Sequence, residues 1–114
     1  MKMTNALNYL GKPVTITIDR PLGSHHPRYG YVYPINYGFV PGTLSPDGVE
    51  LDAYVLGVFE PLEQFEGRCI AVLRRTHDDD DKLIVAVPGQ LYTDEEIRGA
   101  TMFQEQFFES TLMR

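Results

Sequence analysis

Five short runs of β-branched and aromatic residues, separated by turn-forming stretches, precede the one helix signal in this chain, and that order leaves few folds open. Val14-Thr15-Ile16-Thr17-Ile18 alternates apolar and hydroxyl side chains, the pattern of a half-buried strand. Arg20 to Gly30 reads as a loop, punctuated by Pro21, Gly23, Ser24, Pro27 and Gly30. Tyr31 to Val40 is an irregular or bulged strand near an edge, because Pro34 and Gly38 interrupt it. Pro41 to Gly48 is a second loop, closed by the turn pair Asp47-Gly48, and Asp52 to Val58 is a strand. After a polar connection over Glu60 to Gly67, Arg68 to Arg75 and Lys82 to Val87 are strands with apolar middles. Thr76 to Asp81 makes the hairpin loop between them, and Pro88-Gly89 ends the unit.

The helix signal is Thr93-Asp94-Glu95-Glu96, a hydroxyl at the cap with a glutamate three residues on. Ile97, Ala100, Phe103 and Phe107 follow at spacings of three and four, giving one apolar face that Gly99 weakens in its middle. Strands followed by one helix predict a mainly β (α+β) fold, a small five-stranded closed barrel of the oligonucleotide-binding type with a C-terminal helix. At 114 residues and 43% hydrophobic content, residues 1–114 are expected to form one domain around one core.

The chain carries 16 acidic and 10 basic residues, a formal net charge of −6. That balance argues against a nucleic-acid partner, which calls for a basic footprint. It suits a protein that recruits cations. The single cysteine, Cys69, precedes the apolar residues 70–73 and is read as a buried free thiol in a reducing compartment. No apolar run approaches the roughly 20 residues that span a bilayer, and the first ten residues lack a secretory pattern, so the expected setting is cytoplasmic, away from membranes.

Two acidic clusters stand out. Glu50 and Asp52 are two apart, so in an extended chain they point to one side, with Asp47 across the turn. Asp78 to Asp81 crowd a hairpin tip. Each cluster alone is also what a solvated turn looks like. If the two strand ends share a mouth, the carboxylates converge, and hard oxygen ligands of this kind suit magnesium or manganese. Cations for an anionic ligand come from Arg20, Arg28 and Lys82, with His25 and His26 as helpers, and guanidiniums grip phosphate oxygens bidentately. Tyr31, Tyr33, Tyr37 and Tyr54 offer phenol donors, although tyrosines in a small barrel also serve as core or rim. Ser24 and Ser45 lack the surroundings of an activated hydroxyl, and Cys69 lies in an apolar strand. Direct attack by water on a phosphate is the chemistry left.

Tyr33-Pro-Ile-Asn-Tyr-Gly-Phe-Val, followed by Thr43-Leu-Ser-Pro-Asp-Gly-Val-Glu-Leu-Asp-Ala-Tyr-Val-Leu, resembles the central signature of the family I soluble inorganic pyrophosphatases. The resemblance continues through Ala71-Val-Leu-Arg, Asp81-Lys-Leu-Ile-Val-Ala-Val-Pro and Phe107-Phe-Glu. It implies a five-stranded barrel that hydrolyses pyrophosphate to two phosphates with several magnesium ions. It also implies metal ligands at Asp47, Asp52, Asp81 and Asp78, and a phosphate-side tyrosine at Tyr37. This chain departs from the family pattern in several places. The middle aspartate of the metal motif falls on Val49, with Glu50 beside it as the substitute that activates water. The hairpin lysine falls near Leu83, with Lys82 one place off, and the tyrosine and lysine of the C-terminal helix fall on Thr111 and Leu112. The early lysine falls on Thr15, and the chain is shorter than the usual enzyme and lacks its N-terminal segment. The Arg20 to Arg28 loop, with Ser24 and His26, is then the replacement phosphate grip.

The expected function is magnesium-dependent hydrolysis of pyrophosphate by metal-activated water. Asp47, Glu50, Asp52, Asp78 and Asp81 hold metal, and Arg20, Ser24, His26, Arg28, Tyr37 and Lys82 meet phosphate. The alternative is a catalytically silent module of the same fold that binds metal and a phosphate ligand, which the valine at position 49 favours. A single-strand nucleic-acid binder is disfavoured by the acidic charge. Self-association into a homo-oligomer is expected from the apolar content and the resemblance.

Overall fold

A computed structural model describes residues 3–77 and 80–114. A 3-10 turn, Ala6–Tyr9, leads into β1 (Pro13–Arg20), β2 (Tyr37–Val40), β3 (Leu51–Leu56), β4 (Gln64–Arg75) and β5 (Asp81–Ala86). Helix α1 (Asp94–Glu105) and a short β6 (Ser110–Met113) complete the chain. The strands run in the order β1-β2-β3-β5-β4, and β4 pairs back onto β1, so the five close into a barrel. All contacts around it are antiparallel except β3 with β5, which is parallel.

Closure rests on β4, whose 12 residues serve three partners. Its start pairs with β1, its middle with β5 and its end with β6. Between Cys69 and Ala71 the register against β5 slips, leaving Ile70 as the extra residue of a bulge. The slip reverses the inside–outside order of the strand. Cys69 and Val72 join Val14, Ile16, Ala53, Val55, Leu83 and Val85 in one buried cluster, which fills the barrel. Ala71 and Leu73 instead join Tyr37, Tyr54, Ile84 and Ile97 on the outer face, beneath α1. This explains why β3 and β5 are apolar throughout: both of their faces are covered.

Helix α1 begins as its sequence dictates. Thr93 Oγ1 accepts from the Glu96 amide at 3.1 Å, and Glu96 accepts from the Thr93 amide at 2.9 Å. It ends at Glu105, so Phe107 is not part of its apolar face. The chain turns there to pair β6 with β4, and Phe107 is left 67% exposed. Strand β6 was not foreseen, and β4 starts at Gln64, inside the stretch read as a connection. Two residues fix the loops that frame the cleft described below. A Cβ on Gly38 would lie 1.9 Å from the Thr17 carbonyl oxygen, so only glycine lets β2 approach β1 here. Asn36 is fully buried; its Oδ1 accepts from the amides of Leu22 and Leu62, and its Nδ2 donates to the Glu60 carbonyl. No helix among the described residues is long and apolar enough to cross a membrane.

Candidate functional site

The parallel pairing of β3 with β5 sets the site. The 45–50 turn enters β3 and Asp80 directly precedes β5, so the parallel pairing brings Glu50 and Asp80 to one end of the barrel. The register aligns Asp52 with Lys82. Alternation then turns both onto the outer face, opposite the barrel-filling Ala53 and Leu83. The Lys82 ammonium donates to Asp52 at 2.6 Å and to Asp80 at 2.9 Å, and its side chain is 4% exposed.

A second layer ties this cluster to α1. The Arg75 guanidinium donates to Asp80 at 3.3 Å and grips Glu105 through Nε and Nη2 at 3.1 and 2.8 Å. Tyr54 donates to Glu105 at 2.5 Å and accepts from Gln104 at 2.7 Å. The Gln104 carbonyl accepts from Tyr31 and Tyr33 at 2.7 and 3.1 Å. The Phe108 ring lies 3.6 Å from the Arg75 guanidinium carbon.

Tyr31 and Tyr33 belong to an arm folded back on itself. Gly23 and His26 donate amides to the Tyr33 and Tyr31 carbonyls, and His25 bridges to Val32. At its tip the amides of Arg28 and Tyr29 both donate to His26 Nδ1 at 3.1 Å, so the neutral imidazole carries its proton on Nε2. Between this arm, the β3–β5 cluster and the segment after α1 lies a cleft of about 850 Å³. Asp19, Arg20, Asp52, Arg75 and Lys82 supply its charges. His26 and the rings of Tyr29, Tyr31, Tyr33, Tyr37, Phe107 and Phe108 supply most of the rest.

The charged groups perturb one another. Burial raises the Asp19 carboxyl, and the negative charges of Asp52 and Glu50 add to this against the pull of Arg20. Burial likewise raises Asp80, with Asp52 adding repulsion, although Lys82 and Arg75 pull it down. Burial opposes the charge on Lys82, but the two carboxylates outweigh it and the ammonium is held above its ordinary value. One ammonium thus serves two acids. The Tyr37 phenol is pushed well up by burial and by the Asp52 carboxylate beside it.

The structure brings together Arg20, His26, Tyr37, Asp52 and Lys82 of the residues expected from sequence. It sets others elsewhere. Asp81 makes a two-pronged ion pair with Arg74 at 3.0 Å, because neighbours in a strand point apart; Asp80, two residues from Lys82, takes the place beside it. Asp47 is exposed and accepts from the Val49 amide at 3.2 Å, closing its own turn. Glu50 is exposed and outside the cleft lining, near enough only for its charge to act on Asp19. Ser24 donates to the Pro21 carbonyl at 2.6 Å, a turn bond. Arg28 is exposed, its guanidinium 5.5 Å from the Tyr29 ring centre, and it does not line the cleft. Asp78 lies outside the described residues. Asp19, Arg75, Gln104 and Glu105 escaped the sequence reading, and Asp80 entered it only as one of the Asp78 to Asp81 cluster. The alternation in Val14–Ile18 runs on to Asp19 and could have marked it, but nothing local marks Gln104 or Glu105.

Among the described residues, no three His, Cys, Asp or Glu side chains are grouped so as to hold a metal ion unaided. Magnesium does not demand such a cage, being bound through one or two carboxylates with water and substrate phosphates. Asp52 and Asp80 already converge on one compact cation, the ammonium at 2.6 and 2.9 Å, so the donor pair fits a hard ion.

A sequence model of the family described as inorganic pyrophosphatase matches residues 11–111. The chain is 43% identical over 76 residues to an inorganic pyrophosphatase of Saccharolobus solfataricus, covering 64% of this chain and 41% of that one. It is 36% identical over 83 residues to one from Ralstonia nicotianae, covering 67% and 47%. The matched stretches thus span less than half the length of these curated relatives. In three dimensions the chain is similar to an inorganic pyrophosphatase from Ehrlichia chaffeensis, with a TM-score of 0.67 at 18% identity over 95% of this chain and 86% of that one.

Proposed function

This chain belongs to the inorganic pyrophosphatase family, and we propose that it hydrolyses inorganic pyrophosphate to two phosphates in a reaction that depends on magnesium, with manganese as a substitute. The observation that carries this reading is the Asp52–Lys82 pair on the wall of a cleft that also holds Arg20, Tyr37 and Asp19, with Asp80 meeting the same ammonium from behind.

Lys82, Arg20 and the Tyr37 hydroxyl bind phosphate oxygens, the two cations as charge-assisted donors. Asp52 and Asp80 hold the divalent ion, which when bound polarises the phosphate oxygens and neutralises charge on the leaving phosphate. Asp19, an exposed residue whose carboxyl is raised chiefly by partial burial, lines the same cleft and accepts the proton of the attacking water. Glu105 holds the Arg75 guanidinium, which in turn orients Asp80. The setting expected for this activity is the cytoplasm and the state expected is a homo-oligomer.

A phosphate-release assay with pyrophosphate and magnesium tests the proposal. Activity falls about 100-fold or more in Asp52→Asn and is lost in excess chelator; full turnover in chelator rules the mechanism out. A second reading, a phosphate-binding module without catalysis, is favoured by the exposed, self-bonded Asp47 and by Glu50 standing outside the cleft. Calorimetric binding of methylenediphosphonate, with no phosphate released from pyrophosphate, identifies that case.

A further inference from the structure

We propose that the cleft recognises a phosphoanhydride carrying an aromatic base, a nucleoside di- or triphosphate, and stacks that base on the rings at its outer rim. The inference rests on the reading of the Arg20–Lys82 region as the phosphate site. It starts from a mismatch of size. Pyrophosphate is two phosphoryl groups sharing an oxygen, whereas the cleft holds about 850 Å³, within the roughly 300–1,000 Å³ typical of sites for much larger organic ligands.

The second observation is the aromatic lining, whose rings stand among the cations, Phe108 against Arg75 and Tyr37 near Lys82. The Tyr37 centroid is 5.8 Å from Lys82 Nζ, Tyr33 is 5.6 Å from Tyr37, and Tyr31 is 5.8 Å from Tyr33. His26 packs 4.8 Å from Tyr31 and 6.4 Å from Tyr33, with Tyr29 stacked on it at 5.0 Å. The inner phenols are committed, Tyr31 and Tyr33 to Gln104. The outermost rings are not buried: Tyr29 is 68% exposed and Phe107, from a separate segment lining the same cleft, is 67% exposed. Bare pyrophosphate has no surface that would use them. A purine or pyrimidine has two flat faces, and stacking on an aromatic side chain does not depend on base identity. The His26 Nε2–H adds a donor beside the rings, because both tip amides hold Nδ1 as acceptor.

The test compares ADP with methylenediphosphonate, each with magnesium, by calorimetry on the full chain, beside a phosphate-release assay with pyrophosphate. ADP is expected to compete with methylenediphosphonate for one site and to bind more tightly. The double variant Tyr29→Ser, Phe107→Ser should lower the ratio of ADP to methylenediphosphonate affinity roughly tenfold or more. ADP binding no tighter than methylenediphosphonate, or an unchanged ratio in the variant, overturns the proposal. Pyrophosphate hydrolysis without ADP preference sinks the base site and leaves the hydrolase reading intact. Tight, ring-dependent ADP binding without phosphate release does the reverse.

Discussion

Replacing Lys82 by methionine keeps the stem of the side chain and deletes the charge that two carboxylates share. Lys82 is 4% exposed, Asp80 14% and Asp52 24%, so water replaces the ammonium poorly. Removing one partner of a buried ion pair costs about 3–5 kcal/mol. Asp80 keeps Arg75 at 3.3 Å and Asp52 is partly hydrated, which places the loss at the lower end, about 3 kcal/mol. Unfolding entropy of about 2.1 cal/mol/K per residue then converts this to a fall of about 12 °C in Tm for a chain of 114 residues. The pH dependence has a definite sign. The folded pKa of Lys82 is raised, so its contribution is complete below the ordinary lysine value and is lost as pH rises through the folded one. The gap between the two proteins should therefore be flat from about pH 7 to 9.5 and narrow above about 10.5. Urea unfolding across that range measures it. A gap under about 0.5 kcal/mol, the scale of ordinary surface substitutions, or one that widens at alkaline pH, refutes the assignment of Lys82 as the cation holding these two acids.

Asn36→Ala breaks three hydrogen bonds and leaves the amides of Leu22 and Leu62 without their acceptor; at about 1 kcal/mol each the loss is about 3 kcal/mol by urea unfolding, and a loss below about 1 contradicts the tether. Arg20→Ala should raise the KM for pyrophosphate about tenfold, the scale of one charge-assisted bond, whereas Arg28→Ala should leave it unchanged because Arg28 stands outside the cleft; equal effects contradict the placement. Cys69 is fully buried and its thiol is pushed up to about 11 by that burial, so a thiol reagent at pH 8 should label the unfolded chain and not the native one, read by mass spectrometry.

Patterns that depend on one segment were readable before any coordinates. The β runs, the capping box and the hairpin all lie within short windows, and the barrel follows from their number and order. What failed was parity and distance. The bulge at Ile70 swaps the faces of β4, so counting by twos along Arg68–Arg75 cannot tell that Arg75 faces the outer layer. The same difficulty governs the acidic hairpin. A run of aspartates has no internal marker of register, and only the position of Lys82 in β5 shows that Asp80 and not Asp81 meets its ammonium. Gln104 and Glu105 sit 73 and 51 positions from Tyr31 and Tyr54, beyond any local pattern. On the helix they look like ordinary polar residues.

The shared ammonium carries a consequence for binding order. A phosphate oxygen that takes the Lys82 proton donors must displace Asp52, Asp80 or both, leaving carboxylates that burial already disfavours as anions at Asp80. A divalent cation alone meets the opposite obstacle, an ammonium already seated between its two acids. Each ligand removes the penalty on the other, so the two should bind with positive coupling. Coupling is reciprocal: the factor by which magnesium tightens methylenediphosphonate must equal the factor by which methylenediphosphonate tightens magnesium. At a coupling of about 1–3 kcal/mol that factor is about 5–150. Asp80→Asn should shrink it, since the displaced side chain then carries no charge. Calorimetric titrations in both orders measure it. Affinities that do not depend on order, or a factor unchanged in Asp80→Asn, would mean that phosphate does not compete for Lys82 and that the cation site lies elsewhere in the cleft.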